Sequence, residues 1–323
     1  MKAVICDRYG SPDRLRFGEV ETPTPGEKEV LVRVRAASVN SWDWERIRGR
    51  PYILRLEGLR RPRDRILGAD VAGVIVEAGS SVTRFRIGDQ VFGDLSGAGW
   101  GGFAEYVCAP EEALEIKPSF IEMDAAAAVP QAAVMALLSL RHYGGIETGQ
   151  KVLINGGGGG VGTFAIQMAK LFGAHVTGVD SGRKLELMKS IGADHVVDYR
   201  KQDFASNGVL YDLVVDCAIH RSVRSCAASL CDNGRYAIIG GSLTRIFAAF
   251  VGFRAAKSKK SMHLVMHKPN QDLATIVEYV AAGSVRPAID RRFTLGEVPE
   301  AIRYLAEGSA KGKLVIQIGE QSV

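Results

Sequence analysis

At 323 residues the chain is too long for one typical domain, and we expect two, each with its own hydrophobic core. Its 46% hydrophobic and 24% charged residues, with a net charge of +5, are ordinary for a globular protein. No apolar run reaches the roughly 20 residues that span a bilayer, and Asp7 ends the first apolar run too early for a signal peptide, so we expect a cytoplasmic protein with no membrane partner.

Residues 1–123 have the sequence pattern of a β domain. Short apolar runs occur at Val30–Ala36, Val71–Ala78 and Phe103–Val107, and turns that contain glycine or proline separate them. Several short strands without long helices between them predict a barrel-like β domain.

Arginine is concentrated in one segment of this β domain. Eight arginines fall between Arg46 and Arg65, interleaved with Tyr52. Such a segment is either a nucleic-acid patch or a solvated loop beside an anionic cofactor. We favour the loop and expect no nucleic-acid partner. A non-catalytic protein that binds a cofactor or RNA is the alternative from another functional class.

Strands and helices alternate from residue 124 to residue 267. After a helical pattern over Val129–His142, the predicted strands are Lys151–Ile154, His175–Val179, His195–Val197, Leu213–Asp216 and Tyr236–Ile239, and helices at Val161–Phe172, Arg183–Ile191 and Val223–Cys231 lie between them. Such alternation gives right-handed βαβ units and a parallel sheet. The predicted fold class is therefore α/β, with a doubly wound, Rossmann-type parallel sheet in residues 124–267.

The chain ends on a helix and a strand. A helical pattern covers Glu297–Glu307, and an apolar strand covers Lys313–Ile318 with no partner strand predicted nearby. We therefore expect residues from about 268 to 323 to pack back onto the β domain of residues 1–123 and complete it.

A glycine-rich loop follows the first strand of the α/β region. The run Gly157-Gly158-Gly159-Gly160-Val161-Gly162 has the GxGxxG spacing and opens a helix. Glycine permits a tight turn and a close backbone approach to a pyrophosphate, while the helix N-terminus adds free N–H groups and a positive dipole. Asp180 ends the next strand, where a ribose-contacting acid is expected. The loop therefore predicts a dinucleotide-binding site.

The placing of cysteine and histidine argues against a metal. A catalytic zinc needs about three converging Cys, His or carboxylate ligands, and a structural zinc needs closely spaced cysteines. The first 120 residues contain no histidine and only Cys6 and Cys108. We expect no zinc and reduced thiols.

Further motifs extend over the whole chain. They are Met1-Lys2-Ala3, Ala37–Asp43, Leu67–Gly73, Phe85–Gly93, the glycine loop and Gly192–Tyr199. Together these motifs resemble the medium-chain dehydrogenase/reductase superfamily, in its zinc-independent quinone oxidoreductase branch. The resemblance implies a GroES-like β-barrel substrate domain beside the Rossmann domain, with Tyr199 among the residues that bind the cofactor.

The resemblance also implies roles near the reacting groups. It places Asn40 near the nicotinamide and Tyr52 near the substrate, so both are candidate catalytic residues. The alternatives are that Asn40 only caps a helix beginning near Ser41 and that Tyr52 packs on the arginine-rich loop. Gly240 and Gly241 match backbone that passes the nicotinamide.

Zinc-dependent alcohol dehydrogenases of the same superfamily carry a cysteine near Ser38 and a histidine at about Ala69, and both are replaced here. Without a metal or an evident proton relay, alcohol oxidation lacks its usual means of removing a hydroxyl proton. A quinone or an α,β-unsaturated carbonyl needs less help, because incoming charge is delocalised to oxygen. We expect hydride transfer to such an acceptor. An enoyl reductase or a broad alcohol/aldehyde dehydrogenase is the alternative, and a homodimer is possible.

The residues disagree on the choice of cofactor. Asp180 could accept both ribose hydroxyls of NAD and would repel a 2′-phosphate. Ser181, Arg183 and Lys184 follow at once, and NADPH-dependent relatives carry a serine and a basic residue at matching places. We favour NADP(H), with NAD(H) possible.

Overall fold

The computed structural model describes residues 1–206, 208–218, 223–240 and 259–319. Over these residues the chain divides into two units. The first comprises Met1–Gln131, Lys268–Ala281 and Ile289–Val323, and the second comprises Ala132–His267 and Ala282–Ala288. The first unit consists of separate stretches because its main sheet takes strands from both ends of the chain.

A valine-rich strand lies at the centre of the first unit. Strand β3 (Glu29–Val39) pairs antiparallel with β4 (Asp70–Ala78), β6 (Tyr106–Pro110) and β15 (Lys313–Gln317). The sheet continues outward through β5 (Gln90–Asp94) and β7 (Glu115–Ile116) on one side and β14 (Ile289–Thr294) on the other. The buried valines of β3 pack into the core of this unit, because β-branched side chains fill the pleated surface well.

The prediction for the end of the chain is partly wrong. Strand β15 lies beside β3, as expected, but it also pairs in parallel with β14, which precedes it closely in sequence. The run Ile289-Asp290-Arg291-Arg292-Phe293-Thr294 is charged because β14 is an edge strand with partly exposed side chains. Apolar periodicity alone therefore missed it.

The second unit contains a parallel sheet, which confirms the predicted α/β class. Its strands are β8 (Lys151–Asn155), β9 (His175–Asp180), β10 (His195–Asp198), β11 (Tyr211–Asp216), β12 (Leu230–Ile238) and β13 (Ser261–Leu264), in the spatial order β10-β9-β8-β11-β12-β13. The order reverses between β8 and β11. In open α/β sheets ligands bind beyond the carboxyl ends of the strands at such a reversal.

The helices of this sheet follow the predicted order with shifted ends. They are α4 (Gly160–Leu171), α5 (Leu185–Ser190) and α6 (Val223–Ala228). Strand β12 begins at Leu230, so the predicted helix ends earlier than Cys231. Helix α4 buries most of its residues, including Phe164 and Met168, which explains its apolar pattern.

The other strands and α-helices of the described residues are β1 (Lys2–Cys6), β2 (Leu15–Glu19), α1 (Ser41–Arg48), α2 (Met123–Ala127), α3 (Pro130–Leu137), α7 (Leu273–Ala281) and α8 (Val298–Ala306). A π-helical stretch over Leu138–Tyr143 follows α3 and ends one residue beyond the predicted helix Val129–His142. Of the helices in the described ranges, none is long and apolar enough to cross a bilayer.

Candidate functional site

The glycine loop makes a tight turn between β8 and α4. Gly156 has a φ of +82°, in the left-handed region that favours glycine. The N–H groups of Gly156 and Gly157 donate to the carbonyl oxygen of Val179, at 2.8 and 3.1 Å. A Cβ on Gly162 would lie 2.1 Å from the carbonyl oxygen of Gly156, so only glycine allows α4 to approach the loop this closely. The turn thus presents the N-terminus of α4 at the carboxyl end of β8.

The loop glycines differ in what surrounds them. A Cβ on Gly157 would lie 2.7 Å from the sulfur of Met188, whereas one on Gly159 would meet only the carbonyl oxygen of Gly156, at 3.4 Å. Gly159, Gly160 and Val161 are partly exposed. The open side of the loop therefore lies at Gly159–Val161. The N–H of Gly159 donates to the carbonyl oxygen of Gly156 at 3.1 Å, so the N–H groups of Gly160 and Val161 are the ones that could receive an anion.

Asp180 is tied to the glycine loop. Its Oδ2 accepts a hydrogen bond from the N–H of Gly158 at 3.1 Å, and its Oδ1 accepts one from the N–H of Ser181 at 2.7 Å. The Nζ of Lys184 lies 3.5 Å from Oδ1, and both side chains are buried. Arg183 is exposed beside this pair. The acid that favours NAD and the lysine that favours NADP thus lie together.

The hydroxyl of Ser181 is an orphaned polar group. Ser181 is buried, and no described residue is a hydrogen-bond partner of its Oγ. Buried polar groups are nearly always hydrogen-bonded, so such a hydroxyl beside Asp180 and Lys184 fits a polar ligand group. A ribose hydroxyl or a ribose phosphate has the required chemistry.

Tyr199 and Gly240 follow two strands of the same sheet. Tyr199 comes directly after β10, its N–H donates to the carbonyl oxygen of Asp180 at 3.2 Å, and its ring is 40% exposed. Gly240 follows β12 with a φ of +73° and open space where a Cβ would stand. Gly241 lies outside the described residues.

A buried polar network at the sheet reversal was missed by sequence reasoning. Asp216 at the end of β11 accepts hydrogen bonds from Nδ2 of Asn155 at 2.8 Å and from the hydroxyl of Tyr236 at 2.6 Å. Asp216 and Asn155 are in register at the ends of neighbouring strands. Polar residues at the ends of otherwise apolar strands were the signal that could have found it. The network fixes the point from which the glycine loop departs.

Asn40 belongs to a second polar network, in the first unit. It directly precedes α1, as the capping alternative expects, and its N–H donates to Oδ2 of Asp43 at 2.7 Å. Its Oδ1 accepts a hydrogen bond from Nζ of Lys313 at 2.6 Å, and its Nδ2 donates to Oδ2 of Asp70 at 3.0 Å. The side chain of Asn40 therefore does more than occupy a helix end.

The centre of this network is the carboxylate of Asp70. The hydroxyl of Ser38 donates to Oδ2 of Asp70 at 2.8 Å, and Nζ of Lys313 lies 3.4 Å from the same oxygen. Burial raises the pKa of Asp70, while Lys313 opposes the shift. Burial also raises the pKa of Asp43 to about 7, although N–H donors from Asn40 and Gly68 oppose it. The positive charge of Lys313 thus lies in the region of Ser38 and Ala69, the two positions at which zinc-dependent alcohol dehydrogenases carry a cysteine and a histidine.

The described side chains near Ser38 are not arranged as a metal site. Across the described ranges, no group of three or more His, Cys, Asp or Glu side chains could hold a metal ion. At the Ser38 position the hydroxyl is committed to Asp70, which is itself paired with Lys313. The residues present there do not fit a zinc ion.

Tyr52 lies within the arginine-rich segment. It is 64% exposed, its ring centre lies 5.1 Å from the guanidinium of Arg55, and its hydroxyl accepts a hydrogen bond from Arg50 at 3.4 Å. This is the arrangement that the packing alternative described. A role near the substrate stays a prediction.

Several arginines of this segment are engaged within the chain. Arg46 pairs with Glu57 at 2.8 Å and stacks on Trp100 at 4.8 Å, and Arg65 pairs with Asp7. Arginines that make such contacts within the chain are less available to bind a nucleic acid than the number of arginines in the segment suggests.

Comparisons with known proteins agree with this architecture. Residues 26–119 match the family model described as alcohol dehydrogenase GroES-like domain, and residues 191–316 match the one described as zinc-binding dehydrogenase. The GroES-like part of the predicted fold is thereby confirmed.

Individual relatives match over nearly the whole chain. A chloroplast envelope quinone oxidoreductase homolog from Arabidopsis thaliana is 33% identical over 98% of both chains. An NADPH-dependent alkenal/one oxidoreductase from the same plant is 31% identical over 98% of this chain and 79% of its own. The solved quinone oxidoreductase of Coxiella burnetii superposes with a TM-score of 0.90 at 28% identity, over 99% of both chains. The chain therefore belongs to the medium-chain dehydrogenase/reductase superfamily, in its quinone oxidoreductase branch.

Proposed function

We propose that the protein is an NAD(P)H-dependent oxidoreductase that transfers a hydride to a quinone or an α,β-unsaturated carbonyl. The observation that carries the proposal is the glycine loop with Asp180, Ser181 and Lys184 at the carboxyl ends of β8 and β9. It occurs in a chain whose full-length relatives are named quinone and alkenal/one oxidoreductases.

The residues present fit a dinucleotide. The open face of Gly159–Val161 at the N-terminus of α4 suits a pyrophosphate, and the orphaned hydroxyl of Ser181 suits an adenosine ribose or its phosphate. When bound, the nicotinamide supplies the hydride. The chain binds and orients it, with Tyr199, Gly240 and Gly241 as further proposed contacts.

We favour NADP(H), with some use of NAD(H). Asp180 would repel a 2′-phosphate, but Lys184 lies 3.5 Å from its carboxylate and compensates that charge. Lys184 and the exposed Arg183 could both bond to a phosphate, and each charge-assisted hydrogen bond contributes about 1.5–3 kcal/mol. Ser181 supplies a hydroxyl next to them.

We also propose that the reaction needs no zinc. Ser38 and Ala69 lack ligand atoms suited to zinc, and the ammonium group of Lys313 beside Asp70 disfavours a second cation. Reduction of a quinone or enone is compatible with this, because the acceptor itself carries the developing charge to oxygen. Asn40 and Tyr52 remain the proposed residues near the reacting groups.

The assignment of regions follows the same proposal. Residues 1–123, completed by about 268–323, would form the GroES-like substrate domain, and residues 124–267 the Rossmann cofactor domain. A homodimer and a cytoplasmic location remain predictions, and several relatives carry chloroplastic or mitochondrial names.

The test is anaerobic oxidation of NADPH and NADH against a panel of quinones, enones, simple aldehydes and alcohols. We expect quinones or enones to turn over fastest. Simple alcohols or aldehydes reacting far faster would favour the broad dehydrogenase, and preference for enoyl thioesters would favour the enoyl reductase. No turnover of any acceptor despite tight cofactor binding would favour the non-catalytic alternative. A salt-titrated gel shift with RNA tests its nucleic-acid branch.

A further inference from the structure

We propose that Lys313 and Asp70 are positioning residues that lock the amide of Asn40 as a hydrogen-bond donor to the acceptor's carbonyl oxygen. This inference rests on the proposed function. Five buried polar side chains form the network concerned: Ser38, Asn40, Asp43, Asp70 and Lys313.

Hydrogen-bond chemistry sets the orientation of the Asn40 amide. A lysine ammonium only donates, and an ionised carboxylate only accepts. The Nζ of Lys313 lies 2.6 Å from one end of the amide, and Oδ2 of Asp70 lies 3.0 Å from the other. The amide oxygen must therefore face Lys313 and the nitrogen must face Asp70. A flipped amide would set donor against donor and acceptor against acceptor.

The Asn40 amide has one hydrogen-bond donor left for a ligand. Its nitrogen carries two hydrogens, and one is given to Asp70. Among the described residues, no acceptor for the second hydrogen is found. The amide oxygen already accepts from Lys313. Toward a ligand, Asn40 is therefore mainly an N–H donor.

Exposure indicates which member of the network a ligand can reach. Ser38, Asp43 and Asp70 have no exposed surface and Lys313 has 2%, whereas Asn40 has 7%. Burying a lysine and carboxylates costs free energy, and natural proteins retain such groups at functional sites more often than elsewhere. Here the buried charges hold the side chain of Asn40, the most exposed of these five residues.

The donor would act as negative charge develops. When the acceptor receives a hydride at carbon, the electron pair of its conjugated C=C or C=O bond shifts to the carbonyl oxygen, and a solvent proton completes the reduction. A fixed N–H at that oxygen stabilises the charge without reorganisation. The gain is largest for acceptors that delocalise charge poorly, so simple enones should depend on Asn40 more than quinones.

The experiment compares Lys313→Met and Asn40→Leu with wild type and with Lys311→Met. Lys311 is an exposed lysine two positions before Lys313, which makes it the matched control. We expect both test variants to lower kcat for an enone about 10²-fold, and for a quinone by less. The dissociation constant of NADPH, measured by fluorescence, should stay within about twofold. Lys311→Met should behave like wild type.

Failure of this inference and failure of the proposed function give different results. A folded Lys313→Met that keeps wild-type kcat on the enone overturns the positioning role. An equal loss of kcat for enones and quinones overturns the donor role, because a structural defect would lower kcat for both acceptors alike. If Lys313→Met does not fold, Asn40→Leu decides, since it leaves the Lys313–Asp70 pair in place: a wild-type kcat for the enone in Asn40→Leu overturns the inference, because Lys313 and Asp70 then have no donor to position. A wild type that reduces no acceptor overturns the proposed function instead.

Discussion

The ammonium group of Lys184 lies 3.5 Å from a carboxylate oxygen of Asp180, and both side chains are buried. The same carboxylate accepts hydrogen bonds from the N–H groups of Gly158 and Ser181. Asp180 is therefore part of the glycine loop as well as a candidate ribose contact. Its charge is balanced by Lys184, so an acid at this position does not by itself select NAD.

We expect Lys184 to determine the choice of cofactor. Lys184→Ala leaves Asp180 uncompensated and removes one of the proposed phosphate contacts, so kcat/KM for NADPH should fall about 10- to 100-fold. The value for NADH should change little. Arg183→Ala combined with Lys184→Ala should enlarge the loss. Lys189→Ala, which removes an exposed lysine paired with Glu186, is the control. A wild type that prefers NADH, with the double variant unchanged toward NADPH, would make Asp180 the deciding residue.

Substitutions at two glycines of the loop should have different effects, one on stability and the other on cofactor binding. Gly162→Ala brings a Cβ against backbone atoms of Gly156 and Gly157, so we expect a loss of about 3 kcal/mol of unfolding free energy. In Gly159→Val the Cβ makes only an ordinary contact, 3.4 Å from the carbonyl oxygen of Gly156, so the protein should fold but lose cofactor binding by calorimetry. Gly296→Ala, where a Cβ meets nothing within 4 Å, is the control for stability. Unchanged cofactor affinity in a folded Gly159→Val protein would refute the pyrophosphate assignment.

The hydroxyl of Tyr236 should stabilise the second unit. It donates to Oδ2 of Asp216 at 2.6 Å, and both residues are buried. Tyr236→Phe removes a donor from a buried carboxylate at almost constant volume, so we expect a loss of about 1–3 kcal/mol of unfolding free energy. Denaturant unfolding monitored by circular dichroism measures it. An equally stable variant would mean that Asp216 does not depend on this bond.

Asp43 should make stability depend on pH. Burial, with the nearby charge of Asp70, raises its folded pKa from 3.8 to about 7. The folded chain thus holds this proton more tightly than the unfolded chain. The resulting stabilisation is fully present below about pH 3.8 and is lost as the pH rises through about 7.

Asp43→Asn isolates this contribution. Asparagine cannot titrate, and its single oxygen cannot accept from both Asn40 and Gly68, so the variant should melt at a lower temperature throughout. The difference in melting temperature should narrow as the pH rises from 5 to 8. A difference that stays constant would show that Asp43 is already ionised at pH 5.

Activity should not depend on zinc. Elemental analysis of the purified protein is expected to find no stoichiometric zinc, and incubation with a chelator should not change kcat. The reason is the chemistry at Ser38 and Asp70, where a lysine ammonium lies 3.4 Å from the carboxylate. About one zinc per chain, lost together with activity, would contradict the prediction.

Local patterns in the sequence were enough to predict much of the second unit. The strand ending at Asn155, the glycine loop and helix α4 form one short stretch, and each carries its own signal in apolar periodicity or glycine spacing. The cofactor candidates Asp180, Ser181 and Lys184 follow from the same local order. By contrast, the edge strand β14 buries little and so shows no apolar pattern.

Only the tertiary structure brought distant polar residues together. Lys313 is separated from Asn40 by 273 positions, yet it lies 2.6 Å from the amide oxygen, because β15 pairs with β3. Asn155 and Asp216 are 61 positions apart and meet because β8 and β11 are neighbours in register. Hydrophobic spacing and turn chemistry act over a few residues, so the sequence determined the individual elements. Sheet pairing acts across the chain, and it decided that Lys313 is buried beside Asn40 and Asp70, and Asn155 beside Asp216.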